Sequence, residues 1–135
     1  MSSRQYLLDT NIISNLWKDP QGKVYQHLQA ISEDKIFTSI IVAAELRFGA
    51  AKRQSQALTE WVEAILSRLT VLALKEGVDQ EYAKIRSELE QSGQLIGSND
   101  LLIAAHARYL GFTLVTDNVR EFQRVSNLPI ENWLV

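Results

Sequence analysis

Residues 97–118 read GSNDLLIAAHARYLGFTLVTDN, and this stretch decides the fold class. The alanine-rich apolar segment from Leu101 to Leu110 predicts a helix, which ends at Gly111, because glycine is the usual residue just after a helix. The β-branched and aromatic residues of 112–116 then predict a strand. A helix that leads into a buried strand is typical of a parallel sheet.

The same alternation of short apolar strands and longer helices continues along the rest of the chain. Apolar residues recurring every three or four positions predict helices, and short apolar runs between turn residues predict strands. We therefore predict a single α/β domain over residues 1–135, a three-layer α/β/α sandwich with a central parallel sheet. The predicted strands are 6–8, 36–38, 70–74, 112–116 and a last one near Trp133; the predicted helices are 12–17, 24–31, 40–52, 58–69, 77–91, 101–110 and 120–125.

The composition excludes several kinds of site. The 135 residues are 46% hydrophobic and 22% charged, as in an ordinary globular domain, and no window is apolar enough to span a membrane. The start of the chain lacks the apolar core of a signal peptide, so we expect a cytoplasmic protein. With no cysteine and two distant histidines, thiolate and zinc sites are excluded. The net charge of −2 gives no general attraction to a polyanion, so a nucleic acid must be met by local cations or bound metal.

Four acids are expected to meet at one edge of the sheet. In a parallel sheet the strand C-termini and the helix N-termini share one edge, where open α/β sheets bind ligands. Asp9 and Asp117 each follow a predicted strand, and Asp100 lies in the first turn of a helix. Glu45 lies about six residues into its helix, roughly 9 Å from the helix start, so its long side chain can reach the same edge.

A cluster of carboxylates at this edge needs a counter-charge. Glu45 shares its helix face with Val42 and Phe48, and Asp100 also has apolar neighbours, so both acids are predicted to point inward. Four carboxylates about 5 Å apart would repel one another by on the order of 20 kcal/mol. No lysine or arginine is expected on the same faces, so a hard divalent cation, Mg²⁺ or Mn²⁺, is the predicted partner. Because such a cation polarises phosphate and activates water, this site predicts phosphodiester hydrolysis.

Three of the acids also have an ordinary structural explanation. Asp9 can cap the helix after it, Asp100 can favour its helix N-terminus through the helix dipole, and Asp117 can form a turn. Glu45 lies within a helix between apolar neighbours and has no capping role.

Polar residues beside the strand ends are predicted to orient metal-bound water or phosphate, with helix capping as the alternative. These are Thr10, Asn11, Thr116 and Asn118. His106 is expected on the helix surface or partly buried, rather than as a catalytic base. The large aromatic residues are expected in the core or at oligomer contacts more than as platforms for stacked bases; they are Trp17, Tyr25, Phe48 and Trp61.

Four segments together resemble the PIN-domain ribonucleases, and within them the VapC toxins of bacterial type II toxin–antitoxin modules. The similarity covers essentially the whole chain, in the family's order and spacing. Ser98 stands where many members carry proline, which alters a loop and removes no acid. The segments are Leu8-Asp9-Thr10-Asn11, Ala44-Glu45-Leu46, Ser98 to Ala107, and Leu114 to Asn118.

The resemblance implies a Mg²⁺- or Mn²⁺-dependent endoribonuclease that acts as a toxin and inhibits translation and growth. It also implies a homodimer that a VapB-type antitoxin holds inactive. The family's acids correspond to Asp9, Glu45, Asp100 and Asp117, which are therefore the predicted catalytic and metal-binding residues. Transfer RNA, the initiator transfer RNA in particular, is the substrate that the resemblance implies.

Other functions remain as alternatives at this point. A haloacid-dehalogenase phosphatase also begins with an aspartate after its first strand, but it needs a second aspartate two residues later, where this chain has Asn11. A non-catalytic RNA-binding or regulatory domain of the same fold is expected to lose one or more acids, and this chain keeps all four. A structure-specific DNA nuclease is the third alternative, which a comparison of matched RNA and DNA hairpins would separate.

Overall fold

Five parallel strands form the centre of the structure, a computed structural model that describes residues 4–135. Within that part of the chain the strands lie in the order β3-β2-β1-β4-β5. The register places Tyr6 opposite Ile36 on one side of β1 and opposite Thr113 on the other. The strand bounds are β1 Tyr6–Leu8, β2 Ile36–Ser39, β3 Thr70–Leu72, β4 Thr113–Val115 and β5 Ile130–Glu131.

Seven α-helices connect these strands in the described part of the chain. Their ends follow from local chemistry: Ser39 caps α3 by accepting a hydrogen bond from the Ile41 amide, and Gly111 ends α6 in the left-handed conformation at φ 74°. The helices are α1 Thr10–Lys18, α2 Lys23–Ala30, α3 Ile40–Arg53, α4 Gln56–Arg68, α5 Val78–Gln91, α6 Ser98–Leu110 and α7 Val119–Phe122.

The direction in which successive strands are added to the sheet reverses between β1 and β4. The chain adds β2 and β3 on one side of β1, then returns to the other side for β4 and β5. Because crossovers between parallel strands are right-handed, the helices before and after this reversal lie on opposite faces of the sheet. The predicted three-layer α/β/α sandwich with a parallel sheet is therefore confirmed. Open sheets of this kind bind ligands outside the strand C-termini at the reversal.

The last strand lies close to its predicted place but ends two residues before Trp133. It was expected near Trp133, whereas β5 is Ile130–Glu131. Trp133 is 1% exposed, and its ring lies 5.3 Å from the ring of Tyr6 and stacks on His27 at 4.9 Å. An aromatic residue favours strands because it packs well, and here the packing occurs outside a strand.

The prediction that His106 lies on the helix surface or is partly buried was wrong, because this residue is 1% exposed. Its Nδ1 lies 2.8 Å from the Ser39 hydroxyl, which joins α6 to the start of α3, and burial lowers the pKa of the imidazole. Residues 101 to 107 of α6 are almost all buried, so the helix has no exposed face at this point. No helix within residues 4–135 has the length and apolar character that crossing a membrane requires.

Candidate active site

A cavity of about 480 Å³ lies beyond the C-termini of β1 and β4, at the point where the strand order reverses. The structure brings all four predicted acids to this cavity, together with three of the four predicted polar residues. These lining residues are Asp9, Glu45, Asp100 and Asp117, with Thr10, Asn11 and Asn118.

Asp9 is the most buried of the four acids, at 4% exposed. It follows β1, and its carboxylate accepts hydrogen bonds from the Thr10 amide at 2.8 Å and from the Thr116 hydroxyl at 2.7 Å. Burial raises the pKa of this carboxyl, although both hydrogen bonds favour the charged form. Asp9 therefore caps α1, as the structural explanation predicted, and also presents a desolvated carboxylate to the cavity.

Asp100 lies in the first turn of α6 and is partly buried. Burial, a hydrogen bond with Glu121 and the nearby charges of Asp9, Glu121 and Glu45 together raise the pKa of Asp100 to about 7. These causes are those of an acid among other acids, since burial and like charges both favour the protonated form. Without a cation, the Asp100 carboxyl therefore keeps its proton to a much higher pH than an ordinary aspartate.

The sequence interpretation missed Glu121, the acid that contacts Asp100. Glu121 lies on the short helix α7, just after β4, and accepts a hydrogen bond from the Asn118 side chain at 2.9 Å. The rule that helix N-termini share the edge of the strand C-termini applies to α7 as well. Applied to this four-residue helix, the rule would have placed Glu121 with the other acids.

Glu45 is only half-buried, which corrects the prediction that it points inward. Helix α3 turns Val42 and Leu46 toward the core, while Phe48, expected on the same face as Glu45, is 67% exposed. The Glu45 carboxylate lies at the boundary of this face. It accepts hydrogen bonds from the Thr10 hydroxyl and from the Asn99 side chain, the latter at 3.4 Å.

Asp117 lies exposed at the rim of the cavity. Its carboxylate accepts a hydrogen bond from the Asn132 side chain at 3.0 Å, and its amide donates to Asn11 Oδ1 at 3.0 Å. Asp117 thus shares the cavity with Asp100, while Glu121 supplies the hydrogen bond and one of the charges that raise the pKa of Asp100.

The polar residues predicted to orient water or phosphate mainly orient the acids. Thr116 is fully buried and absent from the cavity lining, so it cannot touch water or phosphate there. Its hydroxyl donates to Asp9 and accepts from the Asn118 amide at 3.0 Å. Thr10 donates to Glu45, and Asn11 donates to Asp9 at 3.4 Å. These hydrogen bonds hold the carboxylates in place.

One cation lies beside the acids, contrary to the expectation that none would. Lys18, in the last turn of α1, lines the cavity with an exposed side chain. An exposed ammonium is well solvated, so it offsets the charge of buried carboxylates only weakly. The need for a further cation therefore remains.

The donor chemistry of the cavity fits a hard divalent cation. Among residues 4–135, no three acids or histidines are close enough to ligate a single ion without movement. Mg²⁺ does not need such a group, because it usually keeps several waters and binds one or two carboxylates. Asp9 and Asp100 supply oxygen donors whose pKa values are raised by burial and by neighbouring acids, and Glu45 lies on the same cavity.

Fold and site together define a small α/β nuclease of the PIN class, and the comparison with known families agrees. The sequence model of the PIN domain family matches residues 6–128, so the chain belongs to the PIN domain family. Within it the chain groups with the VapC ribonucleases. It is 39% identical to Ribonuclease VapC2 of Rickettsia felis, over 95% of this chain and 97% of that protein. It is 34% identical to the tRNA(fMet)-specific endonuclease VapC of Shigella flexneri, over 96% of this chain and 98% of that protein.

Solved structures give the same assignment. A DNA-bound VapBC structure from Salmonella typhimurium matches with a TM-score of 0.88 and 32% identity, covering 96% of this chain and 98% of that one. VapBC2 from Rickettsia felis, bound to a promoter DNA fragment, matches with a TM-score of 0.87 and 38% identity, covering 95% and 98%. The resemblance stated from the sequence motifs is confirmed, and the chain is a nuclease that hydrolyses phosphodiester bonds.

Proposed function

We propose that the cavity cuts RNA internally with the help of Mg²⁺ or Mn²⁺, held by Asp9 and Asp100 with Glu45 and Asp117 as the further predicted ligands. The observation that carries this proposal is that Asp9, Glu45, Asp100 and Asp117 line one cavity, where burial and neighbouring acids raise the pKa of Asp100 to about 7. A divalent cation relieves this repulsion. We add Glu121 to the group because it contacts Asp100 directly.

The protein's own residues prepare the site for this chemistry. Thr116 and the Thr10 amide hold the Asp9 carboxylate in one orientation, and the Thr10 hydroxyl holds Glu45. Asp100 would have to be deprotonated to hold a cation, which would couple cation binding to pH. A bound divalent cation supplies positive charge that polarises the phosphodiester and offsets charge on the leaving oxygen.

We further propose that the substrate is a transfer RNA, with the initiator transfer RNA as the first candidate. The support is the name of the relatives in Shigella flexneri and Salmonella typhimurium, tRNA(fMet)-specific endonuclease VapC, at 34% and 32% identity over nearly the whole chain. Cleavage of this RNA would stop translation and growth, as expected of a toxin.

The chain is proposed to act in the cytoplasm as a homodimer that a VapB-like antitoxin inhibits. The support is that the matching solved structures are VapBC complexes from Rickettsia felis, Haemophilus influenzae and Salmonella typhimurium. The structure also leaves large apolar side chains uncovered, among them Phe48 at 67% and Leu95 at 46% exposed. Exposed apolar side chains are typical of surfaces that a partner covers.

The test is cleavage of purified initiator transfer RNA by the antitoxin-free protein, with Mg²⁺ or with EDTA. Asp100→Asn removes one carboxylate charge with little change of shape, and Asp79→Asn, on the exposed first turn of α5, is the matched control. We expect cutting by the unmodified protein and by the control in Mg²⁺, and none in EDTA or with Asp100→Asn. Cutting that persists in EDTA or in Asp100→Asn would contradict the proposal.

Two further outcomes separate the alternatives. Binding of the RNA without any cutting in Mg²⁺ would favour a non-catalytic RNA-binding domain. Equal cutting of a DNA hairpin of matched sequence would favour a DNA nuclease.

A further inference from the structure

A second groove, of about 210 Å³, lies beside the acid cavity. The two spaces are neighbours, because Thr10, Ser14, Lys18 and Glu45 line both of them. The groove lies between α1, α3 and α4 and extends from the acids toward the end of α3. A polymer bound at the acid cavity must extend beyond it, and this groove is a surface that the fold places next to the acids.

The groove carries two exposed cations, Lys18 and Arg53. Neither forms an ion pair in the part of the chain that the structure describes, whereas the nearby Arg47 is paired with Glu63 at 2.8 Å. The chain as a whole has a net charge of −2, so these two charges are a local exception beside an acidic cavity. Unpaired cations beside a phosphodiester site favour an anionic ligand.

The same groove carries two aromatic rings, Trp17 and Trp61. Their ring centroids lie 5.5 Å apart at a tilt of 59°, and Trp17 remains 39% exposed. Aromatic rings beside cations are the elements of sites for single-stranded nucleic acid, in which bases stack and the backbone follows positive charge. The sequence analysis expected these rings in the core or at oligomer contacts, and the exposure of Trp17 beside two cations changes that assignment.

We propose that this groove is a subsite for one single-stranded RNA nucleotide next to the cut phosphodiester. Its base stacks on Trp17, and the adjoining phosphate contacts Lys18 and Arg53. The inference rests on the proposed ribonuclease function and adds to it the strand conformation that the site accepts.

The test measures binding of a fluorescent single-stranded RNA oligonucleotide to the full chain carrying Asp100→Asn, so that the RNA stays intact. Trp17→Ala should weaken binding by about 5- to 150-fold, the loss expected for one stacked base. Lys18→Gln and Arg53→Gln should each reduce the slope of log affinity against log salt by about 0.7, the value for one phosphate contact. Lys52→Gln, the exposed neighbour of Arg53 outside the groove, should change neither quantity.

A matched variant separates stacking from folding. Trp17→Phe keeps an aromatic ring, so it should bind RNA better than Trp17→Ala, and urea unfolding of each variant shows which remain folded. In the cleavage-competent chain, Arg53→Gln should raise KM several-fold and change kcat much less, because Arg53 contacts a neighbouring phosphate and not the one that reacts.

The results that would overturn the subsite differ from those that would overturn the ribonuclease. Unchanged RNA affinity and salt dependence in folded Trp17→Ala and Arg53→Gln would overturn the subsite, while cleavage of transfer RNA in Mg²⁺ still supported the proposed function. Loss of antitoxin binding alone in these variants would assign the groove to the antitoxin and would equally overturn the subsite. Absence of Mg²⁺-dependent cleavage by the unmodified chain would instead count against the function.

Discussion

Replacing Asp100 by asparagine should stabilise the metal-free protein while it abolishes cleavage. Asparagine keeps the shape of the side chain and can still donate a hydrogen bond to Glu121, but it removes the charge that the neighbouring acids repel. The rise of the Asp100 pKa from 3.8 to about 7 corresponds to about 4 kcal/mol of unfavourable interaction in the ionised state. Asp100 is only partly buried, so solvent screening reduces the expected gain to about 2 kcal/mol.

The pH dependence of this gain has a definite sign. The folded-state pKa lies above the unfolded value, so folding favours the protonated carboxyl and ionisation of Asp100 destabilises the fold. The cost is absent below pH 3.8, grows as the pH rises toward 7, and is complete above about 7. The advantage of Asp100→Asn should therefore be larger at pH 8 than at pH 5.

Urea unfolding in EDTA at pH 5 and pH 8 measures this difference, and a repeat in Mg²⁺ measures the effect of the cation. Mg²⁺ should stabilise the unmodified protein at pH 8 and stabilise Asp100→Asn less, since the variant lacks one carboxylate ligand. Asp79→Asn is the control. The electrostatic argument would be refuted if Asp100→Asn were less stable than the unmodified protein at pH 8. It would also be refuted if the stability difference between the two did not depend on pH.

Three further predictions concern the residues around the acids. Glu121→Gln should slow cleavage by about 10- to 100-fold, because Glu121 interacts with Asp100. Asp117→Asn, at the exposed rim, should slow it by less than tenfold. Equal losses of cleavage rate in the two variants would contradict the importance of the Glu121–Asp100 interaction. Thr116→Val should lower the free energy of unfolding by about 1–3 kcal/mol and raise the Mg²⁺ concentration needed for cleavage, because Asp9 loses a hydrogen bond. Thr116→Ser keeps the hydroxyl and is the control. A valine variant as active as the serine variant would contradict this prediction. Ser39→Ala should lower the free energy of unfolding by about 2–4 kcal/mol in urea, because α3 loses its cap and Nδ1 of the buried His106 loses its hydroxyl partner. A loss under about 0.5 kcal/mol would contradict this prediction.

The positions of helices and strands were largely predictable, because they follow from short-range chemistry. The strand and helix on either side of Gly111 depend on apolar spacing and on one residue that adopts a positive φ at little cost. The cap at Ser39 depends on one hydroxyl and an amide two residues later. The shared edge of strand C-termini and helix N-termini then brought Asp9 and Asp100 to one cavity.

Other features depended on which face each helix turns toward the core, and residue spacing alone does not determine this. Phe48 and Glu45 share a helix face, yet α3 packs through a neighbouring stripe, so Phe48 is exposed and Glu45 lies at the boundary. His106 was expected near the surface and is buried because α6 is covered on all sides at residues 103–107. Spacing defines a face, and only packing decides whether that face is covered.

The α/β class, the order of the elements and the three acids that topology must bring to one edge follow from the sequence alone, because these depend on local propensity and on the handedness of crossovers. Two features required the folded structure: Glu121 lies close enough to Asp100 to raise its pKa, and Thr116 holds Asp9 from a fully buried position. Those contacts join segments distant in the chain at hydrogen-bond range. A difference of a few ångströms decides them, and no periodicity in a sequence resolves distances that small.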